Sequence, residues 1–142
     1  MNVGDCMNRH LVYLRAGDRA EIARRPMLDL GLTVVPVLDD EHRPVGVVSL
    51  RDFLDDRQRP TYGSTPVRTV TEAESIDEAA RILVAENVHH LVVVDAQGVA
   101  VGTLSSMDVV RGLVGAAPQH PAAIEKLVAA TAQDVQSEYR SE

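Results

Sequence analysis

Residues 102–108 of this chain read GTLSSMD, and residues 46–52 read GVVSLRD. Both segments follow the pattern Gly-apolar-x-Ser-x-x-Asp, and the second occurrence begins 56 residues after the first. A Ser followed three residues later by an acidic residue is typical of a helix N-terminus, where the two side chains form a capping box. The same Ser and Asp could instead bind a ligand, so the pattern alone leaves both interpretations open.

The repetition extends well beyond these two segments. Residues 16–54 align with residues 72–110 without a gap, and Asp39 then falls on Asp95. The apolar helical positions also agree, with Ala20, Ala23, Met27 and Leu28 falling on Ile76, Ala79, Leu83 and Val84. An internal repeat of this length indicates a duplicated structural unit.

Each repeat predicts a strand, a helix, two strands and a closing helix. The predicted strands are residues 11–14, 33–38 and 45–49 in the first repeat, and 68–70, 89–94 and 100–105 in the second. We therefore expect an α+β (α/β-like) fold of two tandem β-α-β-β-α repeats that pack with pseudo-twofold symmetry. One such unit would bury little surface alone, so two would share a core and form paired clefts.

The first helix of each repeat has a predicted N-cap. Asp18 with Glu21 is the candidate in the first repeat, and Ser75 with Glu78 is the candidate in the second. Pro26 lies inside the helical pattern of the first repeat, where it removes a backbone donor and clashes with the preceding turn. We expect a kink or a broken helix near Arg25.

The sequence divides into four segments. Residues 1–56 form the first repeat, the polar segment 57–66 is a linker, 67–115 form the second repeat, and 116–142 form a tail. The tail predicts an amphipathic helix that packs on its own module or offers a partner surface. Its apolar positions at helical spacing are Ile124, Leu127, Val128, Thr131, Val135 and Tyr139.

Composition excludes several function classes. The formal net charge is −7 with the arginines scattered among acidic residues, which argues against a nucleic-acid partner. No apolar run approaches the length of a membrane span, and the N-terminus does not resemble a signal peptide. Cys6 is the single cysteine, so a reducing cytoplasm is the expected location. No nucleophile elbow, Walker loop or metal-binding spacing occurs, so we do not expect an enzyme or a metal site.

Two longer stretches resemble a known family. LGLTVVPVLDDEHRPVGVVSLRDFL and ENVHHLVVVDAQGVAVGTLSSMDVV are similar to the CBS domain, here as the tandem pair called a Bateman module. The resemblance runs from about residue 3 to about residue 115. The second repeat departs mildly from the pattern, since it has Val92 where the first has Pro36.

This resemblance implies a stand-alone, non-enzymatic regulatory module that binds an adenosine-containing ligand in the cleft between its repeats. AMP, ADP and ATP are the main candidates, with S-adenosylmethionine as another and no required cofactor. In such pairs the motif Asp, here Asp52 or Asp108, binds the ribose hydroxyls. The motif serines, here Ser49, Ser105 and Ser106, lie near ribose and phosphate. A carboxylate suits this role because it only accepts hydrogen bonds and can accept from both hydroxyls of a diol.

Basic residues are the candidate phosphate contacts. His89 and His90 resemble the basic positions of HRLVVVD-like stretches in adenylate-binding members, although simple strand geometry would bring only one of them to the cleft. The other interpretation is that both are polar residues where the strand emerges from its helix. Arg51 is the candidate in the first repeat, and Met107 occupies the equivalent position in the second. The two clefts are therefore expected to differ in affinity.

Tyr13 and Val34 are the candidates for an adenine pocket. The other interpretation of Tyr13 is a half-exposed strand aromatic that packs against its neighbours.

Two other functions remain open at this point. The chain could be a ligand-independent dimerisation or interaction module whose Ser-x-x-Asp pairs are only caps. A metal- or redox-responsive role for Cys6 and the histidines would predict zinc in the purified protein. By resemblance we expect a homodimer that regulates an unknown protein partner in trans.

Overall fold

The structure is a computed structural model that describes residues 1–54 and 67–129. The predicted linker at 57–66 and three positions of the predicted tail helix, Thr131, Val135 and Tyr139, lie outside the described residues. In chain order the elements are α1 (Val3–Cys6), β1 (His10–Arg15), a 3-10 helix (Ala20–Ala23), α2 (Arg24–Leu30), β2 (Val34–Leu38), β3 (Pro44–Ser49), a second 3-10 helix (Leu50–Phe53), β4 (Thr69–Thr71), α3 (Ile76–Glu86), β5 (His90–Val94), β6 (Ala100–Ser105), α4 (Ser106–Leu113) and β7 (Ile124–Leu127). The predicted strand-helix-strand-strand-helix order of both repeats is confirmed.

The described residues form two compact units whose boundaries cross the repeats. The first-repeat unit contains residues 12–54, residue 67 and residues 125–129, and the second-repeat unit contains residues 1–11 and 68–124. The N-terminal eleven residues thus pack with the second repeat. The end of the described chain packs with the first repeat.

The first-repeat unit contains most of a four-stranded sheet in the order β3-β2-β1-β7. β1 and β2 are parallel, and β2 and β3 are antiparallel with a bulge between Val37 and Leu38. Its apolar core is aliphatic, as expected for a chain with one Phe and no Trp. The buried residues of this core are Leu14, Ala20, Ala23, Met27, Val35, Val37, Val48 and Val128.

The main helix of the first repeat is broken, as Pro26 predicts. A 3-10 helix ends at Ala23, and α2 begins at Arg24, so that Pro26 lies in the first turn of α2. No intrahelical partner is needed for a backbone N–H there, so proline is tolerated. The predicted cap at Asp18 is wrong, because the 3-10 helix starts after Arg19 without a side-chain cap. The Asp18 carboxylate instead accepts a hydrogen bond from the Arg15 N–H at 2.9 Å.

The second-repeat unit contains a sheet in the order β4-β5-β6. β4 and β5 are parallel, and β5 and β6 are antiparallel with a bulge between Val93 and Val94. This bulge occurs at the positions equivalent to Val37 and Leu38, so the duplication preserves the irregularity as well as the strands. The predicted cap of α3 is confirmed, since the Ser75 hydroxyl accepts the Glu78 N–H at 3.1 Å. The core of this unit contains Val3, Cys6, Met7, Val70, Ile76, Ala79, Leu83, Leu91, Val93, Val101, Leu104 and Val109.

The N-terminal segment is bonded to β6 of the same unit. The N–H of Asn8 donates to the Thr103 carbonyl at 2.9 Å, and the N–H of Thr103 donates to the Asn8 carbonyl at 3.0 Å. A side chain at position 102 would collide with this segment, because a Cβ there would lie 2.2 Å from the Asn8 carbonyl oxygen. The glycine that opens GTLSSMD is therefore required by close packing.

The predicted helix in the tail is wrong at its beginning. Residues Ile124–Leu127 form β7, an edge strand next to β1. The N–H of Ile124 donates to the Arg9 carbonyl at 3.3 Å, and the N–H of Val128 donates to the Tyr13 carbonyl at 2.9 Å. Alternate residues, Glu125 and Leu127, are buried, which is the strand period of two. Pairing with β1 thus overrides the helical spacing of the apolar residues. Within the described residues, no helix is long and apolar enough to cross a membrane.

Candidate functional site

The Ser-x-x-Asp of the second repeat forms a capping box at the start of α4. The Ser105 hydroxyl accepts the Asp108 N–H at 3.0 Å, and Oδ2 of Asp108 accepts the Ser105 N–H at 2.8 Å. These bonds satisfy two backbone donors that have no partner within the helix. The capping interpretation is therefore correct for this motif, and it engages one of the two carboxylate oxygens.

The first repeat builds the same corner on a shorter helix. Oδ2 of Asp52 accepts the Ser49 N–H at 2.8 Å, as in the second repeat. The helix that follows is a 3-10 helix of four residues, Leu50–Phe53, whereas α4 has eight residues. The two motifs thus share their cap but differ in the length of helix that follows.

The central strand of each repeat lies beside the capping serine. In the second repeat His90 pairs with Ser105, and the Ser106 N–H donates to the His89 carbonyl at 2.9 Å. In the first repeat Val34 pairs with Ser49, and the Leu50 N–H donates to the Thr33 carbonyl at 3.0 Å. Each bond of one repeat has its counterpart 56 residues away. The structure therefore assembles the strand start, the serine and the aspartate into one corner in each unit.

The two histidines of the second repeat differ in exposure. His89 is exposed and precedes β5, whereas His90 is half-buried as the first residue of β5. Burial lowers the pKa of His90, the nearby Asp108 carboxylate opposes this shift, and His89 adds to it. Since the largest cause is loss of solvent, His90 is held mainly in its neutral form near pH 7.

Arg111, which no sequence pattern singled out, lies beside the aspartate of the second corner. Its Nη1 lies 3.5 Å from Oδ1 of Asp108, and Asp108 is only 6% exposed. The two residues are three positions apart on α4, which is the spacing at which helical side chains meet. This spacing could have identified the pair. Asp52, by comparison, is half-buried.

The remaining predicted residues lie in different surroundings. Arg51 is exposed within the 3-10 helix, and Ser106 is half-buried as the first residue of α4. Tyr13 is 2% exposed, so the expectation of a half-exposed ring is wrong. Its ring packs at a tilt against His42, with the ring centroids 5.3 Å apart. An adenine contact for Tyr13 or Val34 stays a prediction.

The equivalent aspartates of the two hairpin turns, Asp39 and Asp95, have a structural role. Oδ1 of Asp39 accepts the N–H groups of Glu41 and Arg43, both at 2.9 Å. Asp95 does the same for Gln97 and Val99, at 2.8 and 3.0 Å. These are Asx-type bonds that fix the hairpin turns. In the part of the chain that the structure describes, no three His, Cys, Asp or Glu side chains are grouped to hold a metal ion.

Two tandem β-α-β-β-α repeats, each with a capped Ser-x-x-Asp corner beside its central strand, define the class of protein. The family model described as the CBS domain matches residues 3–58 and again residues 62–115. The chain belongs to the CBS domain family and carries a tandem pair of these domains.

The chain is also similar to two curated proteins. The chain is 43% identical over 53 residues to the magnesium transporter MgtE of Thermus thermophilus, a match that covers 37% of this chain. It is 22% identical over 121 residues to an uncharacterized protein of Methanopyrus kandleri, covering 78% of this chain. The matches span 12% and 62% of the lengths of these two relatives.

Solved structures share the fold. The structure of CBSX2 in complex with AMP has a TM-score of 0.71 and 29% identity, covering 80% of this chain and 96% of that chain. The CBS domain pair of protein MJ0100, in complex with 5′-methylthioadenosine and S-adenosyl-L-methionine, has a TM-score of 0.70 and 20% identity. That match covers 81% of this chain and 97% of the other.

Proposed function

We propose that this chain is a non-enzymatic regulatory module of the cytoplasm that binds an adenosine-containing ligand of the AMP, ADP or ATP class and signals to a partner protein. The observation that carries the proposal is the corner formed twice by a strand start, a capping serine and an aspartate. The AMP complex of CBSX2, which is 29% identical to this chain, supports the choice of ligand class. No cofactor is required for this role.

Capping and ribose binding are compatible at these corners. In each motif the cap uses Oδ2 of the aspartate. A carboxylate has two oxygens and about four acceptor positions, so the ribose hydroxyls would bind through Oδ1 while the cap stays formed. At Asp108 the ribose must share Oδ1 with Arg111. Asp52 is more exposed, so the diol reaches it more easily.

The two corners offer different phosphate contacts. In the second repeat, the N-terminus of α4 and the neighbouring His90 would face a phosphate, and a helix N-terminus favours an anion. In the first repeat, Arg51 would supply a permanent positive charge. Because His90 is held neutral by burial, phosphate binding at the second corner would draw a proton onto its ring. The corners are thus proposed to differ in both affinity and pH dependence.

Signalling would follow from a population shift. A ligand that binds one conformation more tightly than another increases the population of the first. The equilibrium between the two conformations shifts by no more than the ratio of the two affinities. The surface offered to a partner would change accordingly.

A thermal-shift panel tests ligand binding. AMP, ADP, ATP, S-adenosylmethionine, NADH and cyclic di-AMP are added to wild type, Asp52→Asn and Asp108→Asn. A ligand at one hundred times its Kd stabilises the protein by about 2.7 kcal/mol, which raises Tm by several degrees. We expect at least one adenosine ligand to shift Tm, and one Asn variant to abolish that shift.

A matched pair of cap variants separates binding from helix stability. Ser75→Ala and Ser105→Ala each remove an N-cap hydroxyl from a helix of the same unit, at a cost of about 1 kcal/mol. Both variants should melt earlier without ligand. Loss of the ligand-induced shift in Ser105→Ala alone supports the second-repeat corner. Equal loss in both variants, or no shift with any of the six ligands, contradicts it.

Self-association is a second proposed property, which could also operate without a ligand. Met107 and Val110 are exposed on α4, and the exposed C-cap residue Val114 continues the same face at helical spacing. A second copy of this chain would cover such a face in a homodimer. Sedimentation equilibrium on Val110→Glu, with the exposed Val84→Glu on α3 as control, tests this. A monomer from Val110→Glu alone supports the α4 contact, and unchanged mass in both variants contradicts it.

A further inference from the structure

The turn between β2 and β3 has a histidine, His42, at a position where the equivalent turn of the second repeat has a glycine. His42 has a φ of 62°, in the left-handed region that non-glycine residues rarely adopt. The equivalent position, 56 residues later, is Gly98, with a φ of 82°. Glycine adopts this conformation without steric cost, so a histidine there calls for a compensating interaction.

That interaction is with the C-terminal strand. Nε2 of His42 lies 2.6 Å from Oε1 of Glu125, which is on β7 and only 6% exposed. A carboxylate only accepts hydrogen bonds, so the imidazole N–H is the donor. The Tyr13 ring packs at a tilt against the His42 ring. All three residues belong to the first-repeat unit.

β7 depends on such an anchor for physical reasons. It is four residues long, lies at the edge of the sheet, and follows ten residues, 114–123, that form no helix or strand. A buried carboxylate is costly on a strand unless it is hydrogen-bonded. Charge-assisted hydrogen bonds are the stronger ones, so the contact with His42 contributes directly to the docking of β7.

From this geometry we propose that His42 and Glu125 form a clasp that fixes β7 on the outer edge of β1. The clasp couples the β2–β3 turn to the C-terminal strand. When it opens, β7 detaches and the edge of β1 presents unpaired backbone groups. The clasp does not depend on nucleotide binding.

Hydrogen exchange of individual amides tests the clasp. The reporter is the Val128 N–H, which donates to the Tyr13 carbonyl, and the reference is the Val92 N–H in the other unit, which donates to the Arg68 carbonyl. His42→Gly removes the imidazole and leaves a residue suited to the turn. We expect exchange at Val128 to accelerate about tenfold or more in this variant, with Val92 unchanged.

Glu125→Gln tests the same clasp from the other strand. It keeps the side-chain shape and an acceptor oxygen but removes the charge, so we expect a smaller acceleration at Val128 than in His42→Gly. In the double variant the acceleration should be less than the sum of the two single effects, because both changes weaken the same interaction. Asp40→Asn, an exposed change in the same turn, is the control and should leave Val128 unaffected.

The outcomes are distinct. If His42 does not stabilise β7, replacing it by glycine should relieve the left-handed backbone and make the protein more stable. Exchange at Val128 would then be slower or unchanged, and this result overturns the clasp. Acceleration in Glu125→Gln without any in His42→Gly also overturns it. If Glu125→Gln fails to fold, His42→Gly still decides, since the second repeat shows that glycine fits this turn.

Discussion

Gly102, the first residue of GTLSSMD, offers the most direct test of how the second-repeat unit is built. We predict that Gly102→Ala destabilises the protein strongly. The new Cβ would lie 2.2 Å from the Asn8 carbonyl oxygen and 2.6 Å from Cε of Met7. The methionine end can rotate away, but the carbonyl belongs to a backbone that is bonded to β6. Relief therefore requires a backbone shift of about 1 Å.

The cost has two parts. Overpacking of a tight contact typically costs about 1–3 kcal/mol. The two hydrogen bonds between Asn8 and Thr103 would stretch together, and each contributes about 1 kcal/mol. The expected loss is therefore about 3–5 kcal/mol, a large part of the free energy of unfolding of an ordinary domain. For a chain of 142 residues this lowers Tm by about 10 °C or more.

Urea denaturation monitored by circular dichroism measures this loss, and Gly115→Ala is the matched control. Gly115 has a φ of 75°, and nothing lies within 4 Å of a Cβ placed there. Its substitution therefore carries only the conformational penalty of about 1 kcal/mol. If Gly102→Ala costs no more than Gly115→Ala, the close approach of the N-terminal segment to β6 is refuted.

Three further predictions concern titration and reactivity. Burial lowers the pKa of His90 in the folded protein below its unfolded value of about 6.5. The neutral ring therefore stabilises the fold fully above about pH 6.5, and this stability is lost as the pH falls through the lower folded-state pKa. His90→Gln should flatten the dependence of Tm on pH over this range. If phosphate meets this ring, AMP affinity measured by calorimetry should rise from pH 8 to 6.5, whereas adenosine affinity should not; equal pH dependence for both ligands argues against the contact. Burial raises the pKa of the Cys6 thiol, and the Asp5 and Asp108 carboxylates add to the shift. Cys6 should therefore react with a disulfide reagent at pH 8 only when urea unfolds the protein. Fast labelling without urea would contradict the buried position.

Local patterns in the sequence predicted most of the fold. The strand at 100–105 coincides with β6, and Ser75 caps α3 as its spacing with Glu78 indicates. Such features depend on residues within one or two turns, and these are visible in any single repeat. The duplication then doubled the evidence for each element.

Contacts between distant parts of the chain were not predictable in this way. The helical spacing of Ile124, Leu127 and Val128 is real, yet pairing with β1 makes Ile124–Leu127 a strand. Asp18 has the residue type of a cap, but the proline-containing helix begins differently and leaves Asp18 to bond with Arg15. In both cases a tertiary or backbone constraint outweighed a local preference.

The duplicated corners differ where their chemistry would act. At equivalent positions of these corners the first repeat has Val34 and Arg51, and the second has His90 and Met107. The backbone bonds around them are the same, since both corners have the cap bond to the serine N–H at 2.8 Å. The fold alone requires these backbone bonds, but it does not require the two corners to carry different charged residues. The separation is explained if the corners bind differently, and Asp52→Asn and Asp108→Asn should then differ in which ligand they affect and at which pH. Identical effects of the two variants would remove this explanation, and no effect of either variant on any ligand would leave the aspartates as helix caps.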